Sequence, residues 1–272
     1  MLKDIVNEIK ALHIQSANTI ALESMRYLKS IARKEGFSKK LFFEVERLER
    51  SRPTAVVLHN CLDIVRKQKR IDAIDDLIDR LKNSKKGIAK NASKIFPQKN
   101  NVTILTHCHS TNVVTSIIAA KRNRNVRVFV TETRPRDQGL LTAKDLLNAK
   151  IPVDYIIDSA IGLYIRAVDV VLVGSDALRK EGVINKIGTY PLAVVAKENN
   201  KPVYVLSSTL ALDKRKKFVI EDRPHSEITH KHLVGAKLHN PAFDITPWKY
   251  ISGVVMENGI FKPSEIKKML VS

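Results

Sequence analysis

The spacing of the apolar residues changes once along this chain, near residue 98, and that change limits what it can fold into. Before it, Leu2, Ile5, Val6, Ile9 and Leu12, then Ile20, Met25, Leu28 and Ile31, keep the three-to-four spacing of amphipathic helices. Gly36 and Ser38 mark a stop and a restart, and a second helix is expected over about residues 39–50. Pro53 suits the first turn of a third helix. Ile71, Ile74, Leu77, Ile78 and Leu81 share one face of a fourth, running from about residue 71 to 95 and closed by Pro97.

After residue 100 the pattern becomes short β-branched runs: VTILTHC (102–108), VRVFVT (126–131), VDYIID (153–158), VDVVLVGS (168–175) and VYVLSS (203–208). They show little polar alternation, as strands of a parallel sheet buried on both faces do. Helix-length segments separate them, around 110–122, 140–149, 159–167 and 189–199. Strand–helix alternation of this kind predicts an α/β chain, with a helical N-terminal domain (1–98) followed by a Rossmann-like domain with a mainly parallel sheet (99–272).

Composition narrows the classes of function. With 44% apolar residues and no low-complexity tract, the 272-residue chain reads as globular. No apolar run approaches the roughly 18 residues of a membrane span. The opening MLKDIVNEIK carries charges through its apolar pattern, unlike a signal peptide. Two cysteines, Cys61 and Cys108, make no disulfide framework, so a cytoplasmic protein with free thiols is expected. The 47 basic against 28 acidic residues give a net charge of +19, which concentrates anions near the surface. Nucleic acid is one such anion, but aromatics are only 6% and the sequence signatures of nucleic-acid modules are missing.

In doubly wound folds ligands bind beyond the carboxyl ends of the strands. Here those ends carry Thr106 to Ser110, Thr131 to Pro135, Asp158 and Ser159, and Gly174 to Asp176. No G-x-G-x-x-G follows the first strand, so no dinucleotide cofactor is expected. Cys108 is either a small buried hydrophobe or, just before a helix N-terminus, a thiol of lowered pKa. Cys61, inside a helical run, reads as core. His107 and His109 flank Cys108, but strand alternation points them away from it and closed zinc spacings are missing, so no metal is expected. Asp176 either caps a turn or belongs to a site. Gly182 to Thr189 lead into a helix whose start, beside Lys186, would offer free N–H groups to a phosphate; Ser110, Thr111 and Asn112 do the same one helix earlier.

SRPTAV (51–56), ILTHCHS (104–110), VTETRP (130–135), IDSA (157–160), VGSD (173–176), GVINKIGT (182–189) and NPAFDITP (240–247) together resemble one family. It contains methylthioribose 1-phosphate isomerases, archaeal ribose 1,5-bisphosphate isomerases and regulatory subunits of translation initiation factor 2B. The resemblance runs from about residue 50 to 262 with the motifs in order, and HCHS and ETRP are most similar to the ribose bisphosphate isomerases. It implies conversion of an aldose 1-phosphate to a ketose phosphate, without a cofactor, by Cys108 and Asp176. It also implies substrate contacts from Arg52, His109, Ser110, Arg134, Asn185 and Lys186, and a homo-oligomer, dimer or hexamer. The alternative within the family is a regulatory subunit that binds sugar phosphates or nucleotides and partners a translation initiation factor. The sequence departs from the family enzymes where Gln15-Ser16-Ala17 replaces Arg-Gly-Ala, a loss of about 2–3 kcal/mol in phosphate recognition. SSTLAL (207–212) is a second departure, standing where an A-E-T-type stretch is common.

Overall fold

A computed structural model describes residues 5–10, 16–229 and 234–271. Helices come first: α1 (Ile5–Lys10), α2 (Ala17–Glu35), α3 (Lys39–Ser51), α4 (Val56–Gln68) and α5 (Ile71–Ala92). Leu2 and Leu12 of the first apolar stripe lie outside the described residues. Ser38 starts α3 as expected, its hydroxyl accepting from the Leu41 N–H. The stripes meet in one core in which Met25, Leu28, Leu41, Leu48, Leu58, Leu62 and Leu81 are fully buried. Each such side chain contributes about 2 kcal/mol of transfer free energy. Pro53 lies in the turn before α4 rather than in its first turn, because the chain bends at Arg52.

Strands and helices then alternate: β1 (Asn101–His107), α6 (Thr111–Ala120), β2 (Asn125–Thr131), α7 (Gly139–Asn148), β3 (Val153–Ile156), α8 (Ile161–Tyr164) and β4 (Val170–Val173). Next come β5 (Ala177–Leu178), β6 (Gly182–Lys186), α9 (Thr189–Glu198) and β7 (Val203–Leu206). The chain ends with β8 (Phe243–Pro247), β9 (Gly253–Met256), β10 (Gly259–Phe261) and α10 (Pro263–Val271). Among the described residues the main sheet has seven strands in the order β10-β9-β7-β4-β1-β2-β3, all parallel except the β9–β10 hairpin. The fold is therefore α/β, with N-terminal helices followed by a mainly parallel sheet.

Three expectations change. The stretch 159–167 is α8 flanked by short 3-10 turns, with no continuous helix. Residues 182–186 are strand rather than loop: β6 pairs antiparallel with β5 and β8 in a second, three-stranded sheet. Its five residues are all buried, so the site-bearing Asn185 and Lys186 sit on rigid backbone. The apolar pattern also gave no notice of β9, β10 and α10.

Hydrogen bonds tie the helices to the sheet. Asn60 Nδ2 donates to the carbonyls of Leu210 (2.7 Å) and Leu212 (2.8 Å), and Asn91 Nδ2 to that of Met256 (2.8 Å). Just beyond, the buried Asp213 carboxylate accepts from Arg179 Nη1 at 2.6 Å and Arg215 Nε at 2.8 Å, while Arg215 Nη1 reaches the Pro53 carbonyl. Burial raises the Asp213 pKa, but the hydrogen bonds from Arg215 and Arg179 outweigh it and hold the group below its ordinary value. Its stabilisation is therefore present above about pH 4 and lost as pH falls through the lowered folded-state value. Asp213→Ala leaves the buried Arg179 with only Glu181 as a carboxylate partner and is expected to cost about 3 kcal/mol in urea unfolding at pH 7, with a smaller difference in acid.

Candidate active site at the carboxyl edge of the sheet

β1, β2 and β4 end side by side, and a cleft opens where their last residues meet α2, α6 and the second sheet. It is lined by Cys108, Ser110, Asp176, Asn185, Lys186 and Arg52, and also by His109, Arg136 and Arg223.

Cys108 follows the last residue of β1 and takes a left-handed backbone conformation, φ +69°. A non-glycine residue there is strained by about 1–3 kcal/mol, so surrounding contacts must hold it. Its N–H donates to Thr133 Oγ1 at 2.8 Å, and its carbonyl accepts from Thr142 Oγ1 at 2.9 Å. Thr133 is left-handed too, φ +63°, and is pinned by Asp158, whose two carboxylate oxygens accept from the Thr133 and Arg134 N–H groups. Asp158 is thus a backbone clamp behind the thiol.

Of the two readings of Cys108, the lowered thiol pKa does not hold. Burial pushes Cys108 up to about 11, against the opposing pull of the Lys186 charge, and the thiol is neutral at pH 7. The N-terminus of one helix does not offset that desolvation. Burial likewise raises Asp176 to about 6, with Lys186 and Arg52 pulling it down. The two groups interact electrostatically and share Lys186 as counter-charge. Cys61 is fully buried and pushed up to about 12, in line with a core role.

Lys186 follows Asn185 along β6; its ammonium lies 5.5 Å from the centre of the Phe243 ring. Asn185 Nδ2 donates to Thr189 Oγ1 at 2.9 Å, and that hydroxyl donates to the Lys186 carbonyl at 2.7 Å. Arg52 caps α3, and its Nε and Nη1 are buried without a hydrogen-bond partner. Two charged donors left unpaired in a cleft are costly unless an anion meets them.

The α9 N-terminus, expected to hold a phosphate, is already occupied. The Asp244 carboxylate accepts from the Gly188 N–H (2.8 Å) and the Tyr190 N–H (3.0 Å), so an internal carboxylate takes the place of a ligand. Two other helix N-termini face the cleft. Ser110, at the start of α6, makes no side-chain cap, and neither does Ser16 at the start of α2. Thr111 and Asn112 line the cleft beside the first, Ala17 and Asn18 beside the second. Gln15 lies outside the described residues.

Arg134 is corrected as well. It is not among the residues lining the cleft, and its Nη2 donates to the Ile228 carbonyl and its Nη1 to that of Pro135. Arg136 and Arg223 take its place. Arg223 is nearly saturated by Glu227 and Glu221. Among these arginines Arg52 is therefore the best-placed anion ligand. No local signal in RPRDQ separates Arg134 from Arg136, because the turn after β2 decides which one faces inward. His109 lines the cleft with Nε2 3.0 Å from Asp145 Oδ2, and the buried His107 lies beneath it. Gly174 cannot be replaced freely, since a Cβ there would lie 2.7 Å from Ser110 Oγ.

A sequence model of the Initiation factor 2 subunit family matches residues 13–263, and the chain belongs to that family. It is 36% identical to a ribose 1,5-bisphosphate isomerase of Haloferax volcanii, over 95% of this chain and 88% of that protein. It is 32% identical to a methylthioribose-1-phosphate isomerase of Trichoplax adhaerens, over 96% and 86%. Its fold superposes on a Pyrococcus horikoshii translation initiation factor eIF-2B structure with a TM-score of 0.84, at 27% identity over 96% of this chain and 97% of the other.

Because burial raises Asp176, its charge opposes folding above about pH 6 and ceases to do so below about pH 4, where the carboxyl is protonated in both states. Asp176→Asn is accordingly expected to be more stable than the parent by about 1–2 kcal/mol at pH 7. Urea titrations at pH 7 and pH 4 should show that gap closing in acid.

Proposed function

We propose that this protein is an aldose–ketose isomerase that converts ribose 1,5-bisphosphate to ribulose 1,5-bisphosphate, with Cys108 and Asp176 carrying the chemistry. The observation behind this is the convergence in one cleft of a neutral thiol, a carboxyl of pKa about 6, two uncapped helix N-termini and the unpaired Arg52 guanidinium. Two separate anion-binding edges flanking an acid–base pair suit a sugar with a phosphate at each end better than one with a single phosphate. The sequence relatives named as isomerases support the same reading.

The reaction begins with opening of a ring whose anomeric oxygen carries phosphate. Asp176, with a pKa near the working pH, gives a proton to the ring oxygen as its bond to C1 breaks. Hydrogen at C2 then ends on C1, and the C2 hydroxyl proton returns to the Asp176 carboxylate as the ketone forms, which restores the acid. C2 is oxidised as C1 is reduced, so the balance needs no external oxidant. Cys108 works at C1 and C2, where Lys186 eases the cost of forming a thiolate in a buried site. Asn185 and Lys186 hold the sugar, Ser110 and the α6 N-terminus one phosphate, and Arg52 with the start of α2 the other. His109 borders the sugar. Self-association as a homo-oligomer in the cytoplasm belongs to the same reading.

A second reading is a regulatory, sugar-phosphate-sensing subunit. The structural likeness to translation initiation factor eIF-2B and the replacement of the family enzymes' Arg-Gly by Gln15-Ser16 favour it.

Incubating the purified protein with ribose 1,5-bisphosphate or methylthioribose 1-phosphate, with detection of ketose product, separates the readings. The bisphosphate is expected to react. Cys108→Ser and Asp176→Asn should each lower kcat by about 10² or more. Lys186→Ala should weaken sugar-phosphate binding in calorimetry by about tenfold, a charge-assisted hydrogen bond being worth about 1.5–3 kcal/mol. Absence of ketose from either sugar, with the initiation factor captured, would overturn the enzyme reading.

A further inference from the structure

His107 lies behind the cleft and touches both halves of the site. It is the last residue of β1, adjacent to Cys108, and is 1% exposed. Its Nε2 lies 2.8 Å from the Ile187 carbonyl, in the residue directly after Lys186. Its Nδ1 lies 2.7 Å from Thr131 Oγ1. Thr131 Oγ1 is 3.2 Å from Thr133 Oγ1, the atom that accepts the Cys108 N–H.

The hydrogen-bond directions follow from donor chemistry. A carbonyl only accepts, so Nε2 carries the ring proton and donates to Ile187. Burial lowers the His107 pKa, which keeps the ring neutral and leaves Nδ1 as an acceptor. Thr131 then donates to Nδ1, and Thr133 Oγ1 is free to accept from Cys108. The charged groups nearest the ring are Asp158, with a carboxylate oxygen 3.7 Å from Nδ1, and Lys186.

A second observation shows that the loop is shaped around this ring. Gly188 has φ +102°, and a Cβ there would lie 2.9 Å from both Cε1 and Nε2 of His107. No side chain larger than hydrogen can stand between the loop and the imidazole.

We propose that His107 is a positioning residue that holds the strained Cys108 turn and the Lys186–Gly188 loop in register through the chain Ile187–His107–Thr131–Thr133–Cys108. The proposal rests on the isomerase reading for its kinetic consequence, and on geometry alone for its effect on the thiol. Without the tether, the thiol and the Lys186 ammonium each keep their backbone segment but lose their fixed separation. Misplacements of about 1 Å in a reacting group cost about 10² in rate.

Three variants test this: His107→Phe, which keeps a ring without hydrogen bonds; His107→Gln, which restores one donor and one acceptor; and Thr133→Val, which removes the acceptor for the Cys108 N–H together with its link to Thr131 and leaves His107 in place. The readouts are thermal melting, kcat and KM for ribose 1,5-bisphosphate, and the rate of Cys108 alkylation by iodoacetamide relative to Cys61. His107→Phe and Thr133→Val are expected to lose kcat by about 10²-fold, with a smaller change in KM and an altered Cys108-to-Cys61 alkylation ratio. His107→Gln should recover about tenfold of the loss. If His107→Phe does not fold, Thr133→Val decides. Folded variants with kcat within about twofold and an unchanged alkylation ratio would overturn the positioning role. A wild-type protein that isomerises neither sugar would overturn the isomerase reading instead, and the alkylation ratio would still decide the role of His107.

Discussion

A strand buried on both faces has no side on which to carry a polar group, and this constraint shapes the rest of the molecule. Val170, Val171, Leu172 and Val173 are all fully buried, as are Ile104 and Leu105 in the neighbouring strand. Polar side chains gather mainly where the strands stop. In a parallel sheet those stops fall along one edge, so Cys108, Thr133, Asp158 and Asp176 collect there. The second sheet adds Asn185 and Lys186 from below on β6, a strand as buried as those of the main sheet.

Desolvation is the chief electrostatic influence at that edge. It raises both Cys108 and Asp176, and Lys186 opposes it at each. A single buried ammonium thus tempers two groups at once, leaving a neutral thiol beside a carboxyl that can exchange a proton near neutral pH. At the α9 N-terminus the same logic gives a different outcome. Asp244 is also raised by burial, to about 6, but three backbone N–H groups pull against that and its carboxylate caps the helix. The helix starts left without a side-chain cap at the cleft are therefore those of α6 and α2, not that of α9.

How much of this was legible depended on the range of the interaction. The change of period near residue 98 gave the order of helices and strands, and the clustering of polar residues after apolar runs gave the edge on which to look. Cys108 and Asp176 were legible as cleft residues because each follows a buried run, Lys186 because it stands beside a helix start, and Asn185 only through the family resemblance. Arg134 was misread because the backbone after Thr133 turns through a left-handed residue, and Arg136 faces the cleft instead. The two readings of Cys108, buried hydrophobe or thiol of lowered pKa, stayed open in the sequence because helix proximity is visible there, whereas burial, which raises the pKa, is set by tertiary packing.

The sequence by itself determined the α/β class, the parallel strands and the candidate thiol and carboxyl, since apolar periodicity and strand-end chemistry are local. The tertiary structure decided that Asp244 closes one helix terminus, that Arg52 is left unpaired, and that His107 joins Cys108 to the Lys186 loop. Asp244 and Gly188 stand 56 positions apart and His107 and Ile187 stand 80 apart, while Arg52 faces a space no local pattern describes. Packing brings such groups together, and burial then sets which of them are charged.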